Sequence, residues 1–202
     1  MTNRLTGFCL EKIHATDYMS ESEYENVHYF LEVFFINVFK LFQVYLCAYL
    51  FGTLFETFVM NCAYVLLRSH ANGWHAKSSF NCSLLGISFF VGIPLLLQKT
   101  MITFSGWMVV LLSILLFIGV CLYAPADTEK NPLVSVSERK RKRRNALFLT
   151  LILVLLSYVI QNQSLQTLIL SGLFVEIIMI HPLFYELTKR SYKNYEKYVE
   201  EK

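Results

Sequence analysis

Long apolar stretches alternate with short polar ones along the chain, and the alternation has the length scale of a bilayer. Residues 28–67 are apolar apart from Glu32, Lys40, Gln43 and Glu56. One helix over this stretch would be about 60 Å long, twice the roughly 30 Å thickness of the hydrocarbon layer. The pattern therefore predicts two spans that break near Gly52. Residues 83–98 predict a short span kinked at Pro94, because proline removes a backbone donor. Residues 104–124 predict a longer one, with Trp107 and Tyr123 as aromatic anchors near its ends. Gln98 to Thr103 form the turn between them. Residues 146–160 and 165–183 predict a closing hairpin joined at Gln161–Ser164. In residues 1–27, Leu5, Phe8, Cys9 and Ile13 fall near one helical face, which predicts an amphipathic helix at the membrane interface. The expected fold is all-α: one polytopic integral-membrane domain over 1–202, with about six transmembrane helices plus that N-terminal helix.

Composition agrees. Hydrophobic residues make up 55% and charged residues only 16%, against roughly 45–50% and about 25% in soluble domains. The five cysteines are odd in number and form no CxxC, which argues against a disulfide framework. Cys47, Cys62 and Cys121 lie in apolar runs, where cysteine acts as a small hydrophobe. The N-terminus lacks the basic, apolar, small-residue order of a cleaved signal peptide.

Charge adds orientation. Residues 125–144 read as a polar loop ending in six consecutive cations, Arg139 to Arg144. Beside apolar spans such a run orients the chain in the membrane and is not read as a nucleic-acid site; loops rich in Lys and Arg stay cytosolic. Counting spans from there places 68–82, both termini and the charged, Tyr-rich tail (184–202) on the cytosolic side, the tail helical and solvated.

The candidate chemistry lies in 68–82, RSHANGWHAKSSFNC. A histidine and a cysteine supply a base and a nucleophile. On one unbroken helix His75 and Cys82 would be about 10 Å apart, whereas proton transfer needs about 3 Å. A dyad therefore requires a break between them. Ser78, Ser79 and Asn81 are suitable N-caps; with Asn81 as cap, Cys82 becomes the first residue of the next helix, where a thiolate is favoured. Gly73 permits a turn, and Arg68 and Lys77 suit a carboxylate or phosphate. Read as residue types alone, His75 equally fits an interfacial histidine and Cys82 a packing residue. The spacing of His70, His75 and Cys82 matches no common zinc site. Glu176, an intramembrane carboxylate, is a candidate orienter of the base, or else a helix–helix hydrogen-bonding group.

The order Arg68, Gly73, His75-Ala76, Cys82, an apolar hairpin, then Tyr123-Ala124-Pro125-Ala126 with Thr128, Lys130 and Pro132 resembles the accessory gene regulator B (AgrB) family, the membrane cysteine endopeptidases of Gram-positive quorum sensing. The resemblance spans 68–144. It departs at Asn72, where the family has the first glycine of a pair. It implies Cys82 as nucleophile and His75 as base, acting on a precursor peptide with an amphipathic leader and an acidic C-terminal tail. The tail would leave through a thioester acyl-enzyme, and the signal segment would close to a thiolactone or lactone. Lys130, Arg139, Lys140, Arg141 and Lys142 are candidate substrate-binding or supporting residues, and by its charge the run 139–144 suits the acidic precursor tail, anionic lipid or both. The expected partners are that peptide, the lipid bilayer and, in a homodimer, a second copy; no nucleic acid, metal or cofactor is expected. The rivals are a non-enzymatic membrane sensor or peptide export factor, and a membrane transferase acting on phosphate-bearing lipids.

The orientation has a direct test. A cysteine engineered at Lys77 or Lys130 should resist an impermeant thiol reagent applied to intact cells and react after permeabilisation. Ready labelling from outside would reverse the assignment.

Overall fold

The computed structural model describes residues 2–14, 18–76, 79–129 and 132–199. Lys77, Ser78 and Lys130 lie outside the described residues. Among those described the chain is all helical, with an isolated parallel bridge between Asn72 and Ala126 as its extended pairing.

Helix α1 (Thr2–Lys12) packs on the N-terminal part of α2 (Glu21–Leu50). A capping box starts α2: Ser20 Oγ accepts from Glu23 N, and Glu23 Oε2 accepts from Ser20 N at 2.9 Å. The predicted break is present. Gly52 takes a left-handed φ of 69°, and Thr53 N donates back to Ala48 O at 2.9 Å, ending α2 before α3 (Leu54–Ala71) begins. Among the described side chains of α1, Thr6 and Leu10 are buried, while Phe8 and, just past the helix, Ile13 are exposed.

The next span is built from α4 (Ser79–Ile87), a π-helical segment (Ser88–Gly92) and α5 (Ile93–Thr100). Pro94 explains the irregularity. Having no N–H, it leaves the carbonyl of Phe90 without its helical donor. Thr57 Oγ1 on α3 supplies the missing bond at 2.6 Å, and the wider π turn makes room for the ring. Helices α6 (Gly106–Tyr123), α7 (Val136–Val159) and α8 (Gln163–Ile180) follow, then α9 (Pro182–Leu187) and α10 (Glu196–Val199).

Four segments are long and apolar enough to cross a membrane: Glu21–Leu50, Phe80–Thr100, Gly106–Tyr123 and Gln163–Ile180. The chain is a multi-pass membrane protein. Helices α3 and α7 carry more charge, through Glu56 and Arg68 in one and the cation run in the other. Helix α8 is the axis, most of its length buried against α3, α6 and α7. Without a hydrophobic drive between helices in lipid, close approach at small residues holds such bundles together. A Cβ on Gly172 would stand 2.3 Å from the Met60 carbonyl oxygen and 3.2 Å from Ala63 Cβ, so α3 and α8 touch there backbone to backbone.

Three sequence expectations are corrected. The cation run is not loop: Ser135 caps α7 by accepting from Glu138 N, and Arg139–Arg144 occupy its first turns. Lysine and arginine are good helix formers, and high charge disfavours burial rather than helicity. The tail is not solvated throughout. Asp127, 3% exposed, accepts from Asn194 N and Tyr195 N, both at 2.8 Å, and pins residues 190–195 against the segment after α6. Nor does α4 start at Cys82: it starts at Ser79, so Cys82 is the fourth helical residue and Asn81 lies inside the helix.

Gly172→Ala should separate α3 from α8 and lower the thermal midpoint in detergent by several degrees, as overpacking costs about 1–3 kcal/mol. Gly86→Ala, whose Cβ would meet only a Val44 methyl at 3.6 Å, should leave the midpoint nearly unchanged. Equal midpoints would show that the α3–α8 contact can give way at little cost.

Candidate functional site

The site forms where α3 ends. Ala71 closes the helix and residues 72–76 form an irregular loop, held from two sides. Ala126 N donates to Ala71 O at 2.9 Å, and Trp74 N donates to Met179 O at 3.0 Å. Asn72 has φ 58° and Gly73 φ 128°. A Cβ at Gly73 would lie 3.1 Å from Arg68 Nη1, 3.1 Å from Ile180 Cγ2 and 3.3 Å from Met179 O. Only glycine suits both that backbone and that crowding. Asn72, the departure from the Gly-Gly pair, adopts the left-handed φ itself, and its Oδ1 accepts from Lys142 Nζ at 3.1 Å. A side chain that can bond locally offsets the strain a bare glycine would avoid.

Arg68 is the centre. Nη1 donates to Glu176 Oε2 at 3.2 Å, and Nη2 donates to Trp74 O at 2.7 Å. Nη2 also stands 3.4 Å from His75 Nε2. The guanidinium carbon lies 5.4 Å from the centroid of the Tyr64 ring, one helical turn earlier. The Glu176 side chain is fully buried, and its Oε1 has no hydrogen-bond partner among the described residues. Glu176 contacts Arg68, which in turn stands beside His75.

The required break between His75 and Cys82 exists, since α3 and α4 are separate helices. No hydrogen bond joins Cys82 to His75; Cys82 is partly buried on α4 and free of disulfide. The His75 backbone is fixed from the tail, because Arg190 Nε donates to His75 O at 3.2 Å while Nη1 pairs with Glu129 at 2.9 Å. The imidazole keeps an open edge to solvent but is crowded on its other sides. That desolvation, followed by the positive charges of Arg68, Lys40 and Arg190, pushes its pKa down to about 4. At neutral pH His75 is uncharged and can accept a proton.

The remaining candidates separate. Lys142 joins the site through Asn72 and pairs with Glu138 at 3.7 Å. Arg139 lies away from it, donating to Leu133 O at 2.7 Å with its guanidinium 3.9 Å from the Tyr195 ring centroid. Lys140 and Arg141 are exposed. Among the described residues no three His, Cys, Asp or Glu side chains are grouped as a metal site would need. Sequence reasoning missed Tyr64, Lys40, Asp127 and Arg190. Tyr64 stands four residues before Arg68 and Lys40 interrupts an apolar helix, so both left a signal. The roles of Asp127 and Arg190 depend on long-range folding and left none.

The His75 shift gives a pH prediction. Because the folded pKa lies below the unfolded value near 6.5, the unfolded chain binds more protons between those values. This residue's contribution to stability is intact above pH 6.5 and is lost as pH falls toward 4. Removing the Arg68 charge should raise the folded pKa. In the double variant Arg68→Gln/Glu176→Gln, which leaves no buried unpaired charge, the His75 ring signals in NMR should titrate closer to 6.5 than in the parent. An unmoved titration would remove Arg68 as an electrostatic partner of His75.

Comparison with known proteins gives the family. The family model described as Accessory gene regulator B matches residues 8–180. A putative AgrB-like protein of Listeria innocua is 38% identical over 198 residues, 98% of this chain and 95% of the relative. One from Clostridium acetobutylicum is 35% identical over 165 residues, 82% of this chain and 78% of its own. The accessory gene regulator protein B of Staphylococcus carnosus is 40% identical over 132 residues, covering 65% and 68% respectively. No solved structure matches. With its bundle, its Arg68-centred loop and a family match over most of its length, the chain belongs to the accessory gene regulator B family.

Proposed function

We propose that the chain is a membrane-embedded cysteine endopeptidase that removes the C-terminal tail of a quorum-sensing precursor peptide and promotes its cyclisation. The observation that carries this reading is the Arg68-held loop that presents an uncharged His75, followed by a helix that bears a free thiol. Arg68 Nη2 stands 3.4 Å from His75 Nε2, and the guanidinium lies on the Tyr64 ring. Cys82, partly buried and free of disulfide, sits in the first turn of α4, the helix that follows this loop.

The chemistry follows in two exchanges. His75 takes the Cys82 proton, and the thiolate attacks the carbonyl at the end of the signal segment. The C–N bond breaks, the tail leaves with the proton, and a thioester to Cys82 remains. A substrate thiol or hydroxyl then attacks that thioester, closing the ring and returning the proton to Cys82. The second exchange competes with hydrolysis, so a site that limits water favours the ring. Arg68 donates toward His75 Nε2 and occupies the lone pair a base needs. A substrate carbonyl or carboxylate that engages Arg68 would release it. Binding would then switch on the base, and the missing Cys82–His75 hydrogen bond would form in the complex.

The proposed topology has about six spans, with α3 and the apolar part of α7 joining the four apolar segments, and α1 at the interface. The loop 72–76, the basic start of α7 and both termini lie on the cytosolic side. A homodimer remains part of the proposal.

The test is co-expression with the precursor, with mass measurement of the fragments. Cys82→Ala and Cys82→Ser should abolish cleavage, since a serine hydroxyl has too high a pKa for this base. His75→Ala should abolish turnover at neutral pH, with a trace returning at raised pH, where thiolate forms unassisted. Cys9, Cys47, Cys62 and Cys121 changed to Ala should each leave cleavage intact. Full cleavage by a well-inserted Cys82→Ala protein would instead favour an export factor or sensor.

A further inference from the structure

A second polar cavity lies apart from the Arg68 centre, where α6, the start of α7 and the folded-back tail meet. Its volume is about 360 Å³, within the size range of small-molecule sites. The floor is the Tyr123–Asp127 segment. The walls are Arg139, Lys140 and Arg143 of α7 with Tyr192 and Tyr195 of the tail. Among the described residues no carboxylate pairs with Arg139, Lys140 or Arg143. Arg139 and Arg143 donate to backbone carbonyls, Leu133 and Val134 for the first and Cys121 for the second. Lys193, also on the wall, pairs with Glu196 at 3.5 Å. Asp127 is the one acid lining the cavity, and both its carboxylate oxygens already accept from backbone N–H groups of Asn194 and Tyr195. Burial pushes the Tyr192 phenol up to about 12, so it remains a hydrogen-bond donor. The cavity therefore offers three cations unmatched by carboxylates, and a donor.

Its rim is of the opposite character. Leu122 is 63% exposed and Val136 54% exposed. Leu122 ends a lipid-facing row on α6 made of Leu111, Leu115, Ile118 and Leu122, all exposed and three or four residues apart. The row leads from the apolar body of a membrane span directly to the cationic walls.

We propose that this cavity binds the phosphate headgroup of an anionic glycerophospholipid, with an acyl chain lying along the α6 row. Cationic pockets at the ends of spans suit such headgroups. A free anion or an acidic peptide would satisfy the cations but gain nothing from the apolar row. The ligand with a phosphate at one end and hydrocarbon at the other matches both surfaces. The site stands independently of the peptidase reading.

The test uses the full-length protein in dodecyl maltoside micelles, with lipid retention read by native mass spectrometry. The probes are dioleoylphosphatidylglycerol, dioleoylphosphatidylcholine, inorganic phosphate and tetraglutamate. Phosphatidylglycerol should be retained at concentrations at least about tenfold below phosphatidylcholine, as several cations near a phosphate predict. Neither phosphate nor tetraglutamate at millimolar concentration should displace it. The triple variant Arg139→Gln/Lys140→Gln/Arg143→Gln should lose that preference. The charge-matched control Arg144→Gln/Lys189→Gln/Lys197→Gln, away from the cavity, should keep it. Leu122→Gln, at an exposed position that folding tolerates, should weaken retention of phosphatidylglycerol several-fold. Equal retention of both lipids, displacement by phosphate or by tetraglutamate, equal loss in the charge-matched control, or an unaffected Leu122→Gln would each overturn the proposal. Displacement by tetraglutamate would assign the cavity to an acidic peptide.

Discussion

The Arg68 guanidinium sits where a fixed charge is expensive, at the end of a helix packed inside a membrane bundle. Taking a charge out of water costs several kcal/mol unless partners replace the lost hydration. The surroundings of Arg68 are arranged as that replacement: the Glu176 carboxylate, the Trp74 carbonyl, the face of Tyr64 and the Nε2 of His75. These come from α3, the loop after it and α8. The charge is stable only once those three elements have met, so it ties helix packing to loop conformation. Removing one member of such a pair typically costs about 3–5 kcal/mol, because the other is left buried and unmatched. The need for glycine at 73 follows, since any side chain there would press on Arg68 Nη1 itself.

The same shortage of water explains the other irregular features. The Phe90 carbonyl freed by Pro94 takes the Thr57 hydroxyl. The segment after α6 would otherwise leave backbone groups unpaired near the bilayer. It is held instead by Ala71, by the Tyr185 hydroxyl donating to Asp127 O at 3.0 Å, and by the Asp127 carboxylate accepting from the tail. Buried backbone groups must be paired somewhere, and here three segments distant in sequence pair with one another. Arg190 completes the set by gripping the His75 carbonyl and Glu129 together. The tail is thus a structural part of the loop that carries the histidine.

This arrangement bears on how the proposed chemistry could be controlled. His75 is held uncharged by crowding and by neighbouring cations, which frees it of a proton but makes it a weak base while those cations stand beside it. In the proposed reaction, substrate that draws Arg68 away would raise its basicity. A thiol site at a membrane surface gains from such restraint, because an idle thiolate is open to oxidation and to stray acylation. The cationic cavity beside α7 shares the 123–127 segment with the loop anchor, so two distinct surfaces rest on one scaffold.

The sequence by itself determined the elements set by local physics. Hydropathy gave four of the expected spans and the break near Gly52, because a bilayer imposes a length and a φ near 69° calls for glycine. Pro94 announced its own distortion. The motif around Arg68, Gly73, His75 and Cys82 marked the candidate site, and spacing required a break between the last two for them to act as a pair. Local patterning failed where partners come from far along the chain. It read Arg139–Arg144 as loop because charge signals exposure, which a helix satisfies equally well. It read the tail as solvated because no nearby residue reveals that Asp127 will accept its backbone N–H groups. It offered Glu176 either as orienter or as helix-to-helix link. The bundle shows the link, a pair with Arg68 across α3 and α8, because only packing α3 against α8 at Gly172 brings carboxylate, guanidinium and imidazole into one line.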